Sequence, residues 1–240
     1  MVMFWRNPIL GYKAECSQVK WYPSLPYVAP FAVFIAFLAL ERFFPVDIQV
    51  LYPIRVSVVL AVILVFSRSA LDFEVKNVLG SLVLGIAVFV VWVAPDALWP
   101  GYRSHWLFTN SITGRASMSI PAGVQTNLLF IVFRLVGCSL LVPVLEELFW
   151  RGWLARWLID SHDFGRVPLG AYTAMSFWTG SLLFASEHGP FWEVGLIAGV
   201  AYNWWMCRTR SLANSILAHA VTNGCLSVYV LTTGQWTYWL

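Results

Sequence analysis

"LEELFWRGWLARWL", residues 145–158, sets Glu146 and Glu147 side by side among leucines and tryptophans, with Arg151 one helical turn later. The chain around it has 240 residues, of which 59% are hydrophobic and 11% charged, with a mean hydropathy of +0.70. A soluble domain carries about 25% charged residues, so this chain cannot cover a water-facing surface of the usual kind. The stretch therefore reads as part of an apolar helix in an all-α, polytopic transmembrane bundle. A carboxylate at the centre of such a helix costs about 2.5–3.5 kcal/mol, and two adjacent ones also repel. Residues kept at that cost face the bundle interior or a wet cavity and are functional candidates.

The helical period separates the two acids. Glu147 and Arg151 stand at i and i+4 with the acid first, the favourable order for an ion pair on one face. Glu146 points about 100° away, and its i+3 and i+4 neighbours are Phe149 and Trp150. Glu147 is thus expected to be structural and Glu146 to be the free carboxylate, suited to act as a general base or acid.

Working outward, seven apolar stretches are long enough to span, near 27–44, 50–67, 77–94, 126–150, 168–188, 190–207 and 211–232. Each should be a helix, because a spanning segment satisfies its own backbone. Pro30, Pro53 and Pro143 fall within or near spans and can kink them. The 14 Trp and 9 Tyr suit membrane–water interfaces. With seven spans, one side collects Arg6, Lys13, Lys20, Arg68, Lys76, Arg151, Arg156, Arg166, Arg208 and Arg210, and the other only Arg42, Arg103 and Arg115. Arg55 and Arg134 fall inside spans. The asymmetry predicts a multi-pass cell-membrane protein with a cytoplasmic N-terminus and an extracytoplasmic C-terminus. A single domain over 1–240 is expected, with a juxtamembrane segment 1–26 and a catalytic core at 126–232.

The small net charge of +3 and the lack of a dense basic cluster argue against nucleic acid. Cys16, Cys138, Cys207 and Cys225 have no CxxC spacing and read as small buried hydrophobes. "MVMFWRNPILGYK" lacks the apolar run of a signal peptide, and "TYWL" holds no prenylation cysteine. The long connection 95–125 reads as an extracytoplasmic loop. His105 there, and His162 in "DSHDFGR", read as surface residues.

Two further polar clusters occupy later spans. "LLFASEHGP" puts Phe184 and His188 at i and i+4, against a Gly189-Pro190 break. "LAHAVTNGC" puts His219 and Asn223 at i and i+4, on one side of the last helix. Glutamate and histidine can activate water, and histidine and asparagine can donate to a developing oxyanion. Alternatively Glu146, His188 and His219 could hold one divalent metal such as zinc, with water in the open position. Either route hydrolyses a carbonyl compound. The zinc-protease string HExxH is absent, and neither Ser186 nor Cys225 is set beside a base.

Glu146-Glu147-xxx-Arg151, Phe184-xxx-His188 and His219-xxx-Asn223, in this order and each in its own apolar span, resemble the CAAX prenyl protease and bacteriocin-processing (CPBP, or Abi) family of intramembrane proteases. "EELFWRGWL" and "SLANSILAHAVTN" are similar to that family's first and third motifs with their flanks, and the resemblance covers about 126–232. The stretch 50–76 and the short C-terminal half resemble the subgroup found beside exosortase protein-sorting systems. The resemblance implies a helical intramembrane endopeptidase acting on a membrane-associated substrate, a prenylated CAAX-type peptide being the one the family name suggests. It implies that Glu146 activates water with His188, that His219 and Asn223 stabilise the oxyanion, and that Glu147, Arg151 and Phe184 support the site. The family is described both as a metal-free glutamate protease and as metal-dependent, and the metal-free route is the favoured expectation here.

Two departures stand out. The family often has an eighth helix, and only eight residues follow residue 232. In addition, straight spans would hold His188 away from the depth of Glu146. Either helix five begins later and tilts, or the Gly189-Pro190 break lies in the membrane and lines the cavity; the break is the expected solution. The rival readings are a non-catalytic immunity or chaperone protein of the same fold, and a proton-relay transporter. The latter would show inverted repeats, which this sequence lacks. Oligomeric state and natural substrate are not encoded in recognisable motifs.

Overall fold

The computed structural model describes residues 22–43, 46–116 and 120–239. Arg6, Lys13, Lys20 and Cys16, and with them most of the expected juxtamembrane segment, lie outside the described residues. Among the described residues, seven helices follow one another: α1 (Leu25–Leu40), α2 (Ile48–Ala70), α3 (Val78–Leu98), α4 (Leu128–Trp157), α5 (Ala174–Ser186), α6 (Trp192–Thr209) and α7 (Leu212–Thr233). Among the described residues there is no strand, only an isolated bridge between Asn110 and Gly114 in the α3–α4 loop.

The starts are set by side-chain caps, which satisfy backbone N–H groups that the first turn leaves over. Asp47, Asn77, Asn127 and Ser211 each accept such an N–H. Thr173 and Ser176 form a reciprocal capping box at α5.

Four helices, α2, α3, α4 and α7, are long and apolar enough to cross a membrane, and α1 is apolar but shorter. The expected fifth span at 168–188 is not realised. Pro168 has no N–H to give, and Gly170 holds a left-handed φ of +72°. The helix therefore begins only at the Thr173 cap and runs 13 residues, about 20 Å at 1.5 Å per residue. That falls short of a hydrocarbon core of about 30 Å. α5 instead packs along α6, and α3 along α7.

The burial pattern is that of a protein solvated by lipid. Arg151 and Glu147 are 1% and 0% exposed, while Leu79 and Leu128 are 73% and 74% exposed. Water would penalise so much exposed apolar side chain, whereas acyl chains accept it. Arg55 and Arg134, the cations expected inside spans, are buried and partnered. Arg55 pairs with Glu41 at 3.0 Å, and Arg134 donates to the Trp239 carbonyl at 2.7 Å.

α4 is not a uniform α-helix. It widens into π turns at Gly137–Leu141 and Leu148–Leu154. Pro143 follows the first of these, so the N–H it lacks falls where the ladder has already changed register. The helix runs on through Pro143, and Glu146 and Glu147 lie on the α-helical turn between the two π segments. Pro30 and Pro53 are likewise carried within α1 and α2.

Candidate active site

Glu147 is the hub of a buried network. Its Oε1 accepts from Arg151 Nη1 at 3.1 Å and contacts His219 Nδ1 at 3.0 Å. Arg151 also donates from Nε to Asn203 Oδ1 at 2.9 Å and from Nη2 to the Gly199 carbonyl at 3.2 Å. Its guanidinium lies 4.5 Å from the centroid of the Phe184 ring. Asn203 in turn donates to Ser181 Oγ and to the Phe177 carbonyl. A planar fork of donors serving acceptors on α4 and α6 is a task for arginine rather than lysine.

Glu146 faces the other way. With His188, His219 and Asn223 it lines a cavity of about 140 Å³, whose walls also include Trp92, Arg134, Cys138, Phe184, Tyr202, Thr222, Tyr238 and Trp239. His219 stands between the two acids, with Nδ1 on Glu147 and Nε2 4.0 Å from Glu146 Oε2. Its ring stacks on Tyr202 at 4.9 Å and 23°. The Tyr202 hydroxyl donates to Thr222 Oγ1 at 2.7 Å, which anchors the stack to α7.

His188 is the N-cap of a short 3-10 turn, Gly189–Phe191, between α5 and α6. Gly189 sits at φ +50°, a conformation glycine adopts without strain. The break at Gly189-Pro190 and the late start of α5 together bring His188 to the cavity that holds Glu146. His188 Nδ1 lies 2.7 Å from the Phe184 carbonyl. A carbonyl oxygen only accepts, so Nδ1 carries the proton and Nε2 is the basic nitrogen. Gly195 makes room for this ring, since a Cβ there would lie 3.1 Å from it.

Asn223 donates to the Cys138 carbonyl at 2.9 Å. Val142 N–H bonds back to Gly137, in the π register. In that register the partner of the Cys138 carbonyl would be the N–H of residue 143, which is proline. The Asn223 amide fills the vacancy with one of its two N–H bonds and keeps the other.

All seven residues singled out in the sequence, Glu146, Glu147, Arg151, Phe184, His188, His219 and Asn223, thus belong to one connected region. His105 and His162 are exposed. Cys138, Cys207 and Cys225 are free thiols and only half-buried, rather than buried as expected. Residues that sequence reasoning missed include Asn203, Tyr202 and Thr222, polar groups in apolar helices like the motif residues but outside any motif. Glu187 was missed too. It lines an adjoining groove of about 340 Å³ together with Glu41, Arg55, Arg134, Glu146 and His188.

Among the described residues no group of three or more His, Cys, Asp or Glu side chains converges to hold a metal. His188 and His219 each engage Nδ1 with a protein acceptor, which leaves Nε2 of each as the available nitrogen, an arrangement that metal-ligating histidines also use.

No curated protein and no solved structure matches the chain. One family model does, over residues 127–225, described as "Type II CAAX prenyl endopeptidase Rce1-like". The matched segment contains every motif residue of the cavity and leaves the stretch 50–76 outside. Over residues 127–225, the chain is similar to the Rce1-like type II CAAX prenyl endopeptidases.

Proposed function

We propose that this protein is an intramembrane endopeptidase that hydrolyses a peptide bond of a membrane-associated substrate, with water activated by Glu146 and His188. The observation that carries the reading is that Glu146, His188, His219 and Asn223, drawn from α4, the α5–α6 turn and α7, line one cavity. Glu146 and His188 Nε2 are both acceptors, so a water between them can give a hydrogen bond to each and hold a lone pair toward the substrate carbonyl. On attack, the proton passes to this pair and the C–O bond forms. The carbonyl electrons move to an oxyanion, which the free N–H of Asn223 can meet. His219 can donate from Nε2 only as the imidazolium, whose charge Glu147 would offset. Collapse breaks the C–N bond and returns the proton to the leaving amine.

A prenylated CAAX-type peptide is the first substrate to test, and the bilayer is the medium from which it would enter. The groove shared by Glu146 and Glu187 is a candidate approach. The orientation that follows from the charge asymmetry places the N-terminus in the cytoplasm.

The test uses the purified chain in lipid nanodiscs with farnesylated and unmodified CAAX-type peptides, read by mass spectrometry, with and without chelator. The reading expects release of a C-terminal fragment at a rate unchanged within about twofold by chelator. Loss of cleavage on chelation that zinc restores would replace this mechanism with a metal-dependent one. No cleavage of any lipidated or membrane-inserted peptide would favour the non-catalytic immunity or chaperone reading.

A further inference from the structure

Arg103 lies in a 3-10 turn, Tyr102–Ser104, of the α3–α4 loop, outside the family-matched segment and far in sequence from any motif. Its side chain is nevertheless 11% exposed. Nε donates to both carboxylate oxygens of Asp96, at 3.1 and 3.0 Å. Nη1 donates to the Pro190 carbonyl at 2.7 Å and pairs with Glu193 Oε1 at 2.6 Å. The guanidinium lies 4.3 Å from the Phe191 ring centroid.

Pro190, Phe191 and Glu193 are the residues that follow His188. Phe191 N–H donates to the His188 carbonyl at 2.9 Å. The Phe191 ring stacks on Trp92 at 6.3 Å and 20°, and Trp92 meets the His188 ring edge-on at 5.2 Å. The turn thus has two supports. Its backbone is gripped by Arg103, and the ring of His188 is wedged by aromatics resting on the same Phe191. A turn built on Gly189 has little local preference for a single conformation, so its shape must be imposed from outside.

We propose that Arg103 is a positioning residue for His188. It joins Asp96 at the end of α3 to Pro190 and Glu193, so that the imidazole is held at the cavity wall opposite Glu146. The proposal rests on the reading of His188 as a water-activating group, and its test separates the two.

The full-length chain is prepared with Arg103→Gln, Arg103→Lys and Asp96→Asn, each alone and with His188→Ala. Backbone hydrogen exchange of residues 186–195 needs no substrate and tests the clamp directly. Arg103→Gln should raise it at least about tenfold while leaving residues 145–152 unchanged. In hydrolysis, Arg103→Gln should lower kcat by about 10- to 100-fold with KM within about threefold. Arg103→Lys should recover part of the loss. Adding Arg103→Gln to His188→Ala should cost less than about twofold more, because residues acting through one another are not additive.

Unchanged exchange at 186–195, or an equal loss of kcat with and without His188, overturns the proposal. If Arg103→Gln does not fold, Asp96→Asn weakens the same grip, and its exchange decides by the same criterion. If no form of the chain hydrolyses peptide but exchange rises as stated, the functional reading falls and the clamp stands.

Discussion

Arg151→Met removes the cation from the buried network and leaves its acceptors in place. Glu147 loses one of two partners to Oε1, and Asn203 Oδ1 and the Gly199 carbonyl each lose a donor. All of this happens at a site where Glu147 is 0% and Arg151 1% exposed. Breaking a buried ion pair by removing one member costs about 3–5 kcal/mol. At about 2–4 °C per kcal/mol for a chain of this size, that is a fall in Tm of about 6–20 °C. Arg151→Lys keeps the charge but cannot serve three acceptors with a planar fork, and should fall between the two. Glu147→Gln in the same background should cost much less than it does alone, since no uncompensated carboxylate remains. The coupling energy between the two sites should exceed about 1.5 kcal/mol. The assay is thermal unfolding of the four proteins of the cycle in one detergent, followed by tryptophan fluorescence. Additive losses, or an Arg151→Met variant within about 0.5 kcal/mol of wild type, would refute the view that Glu147 is held by Arg151.

Three further outcomes follow from single contacts. Asn223→Ala leaves the Cys138 carbonyl without its donor and should cost about 1–3 kcal/mol in thermal unfolding, together with about a 100-fold loss of kcat if the second N–H meets the oxyanion. Gly195→Ala places a Cβ 3.1 Å from the His188 ring. It should lower kcat by about 10-fold or more, because the ring must move a few tenths of an ångström off the added methyl. Asp160 accepts the backbone N–H groups of Asp163 and His162, which hold its carboxyl below the ordinary aspartate range. Its contribution is therefore present above the unfolded pKa of about 3.9 and is lost as pH falls through the lower folded value. The amide shifts of residues 162 and 163 should titrate with a midpoint below about 3.9, and a midpoint above it would contradict the turn.

Much of the site could be read before the fold was known, because membrane burial makes polar residues conspicuous. The i, i+4 spacing of Glu147 and Arg151 specified a contact within one helix, and that contact is present at 3.1 Å. The all-helical architecture followed from hydropathy alone. What could not be read depends on tertiary packing. The fifth apolar stretch looked like a span because hydropathy does not register that Pro168 and Gly170 delay the helix to Ala174. The π turns of α4 depend on what packs against it, so the tie between Asn223 and the Cys138 carbonyl lay hidden. Sequence spacing also placed His219 with Asn223 alone, whereas the fold sets its two nitrogens toward two different glutamates. Arg103 carried no signal at all, being one charge in a loop, and it acquires meaning only from the turn that it grips.

The central claim is that Glu146 and His188 share one water in one cavity. It is tested most directly by single-turnover cleavage of a membrane-inserted peptide by wild type, Glu146→Gln, His188→Ala and the double variant, all folded as judged by Tm. The account predicts that each single substitution lowers the rate by about 10²–10⁴-fold and that the double variant is scarcely slower than the worse of the two. Cleavage that survives Glu146→Gln at the wild-type rate would contradict it.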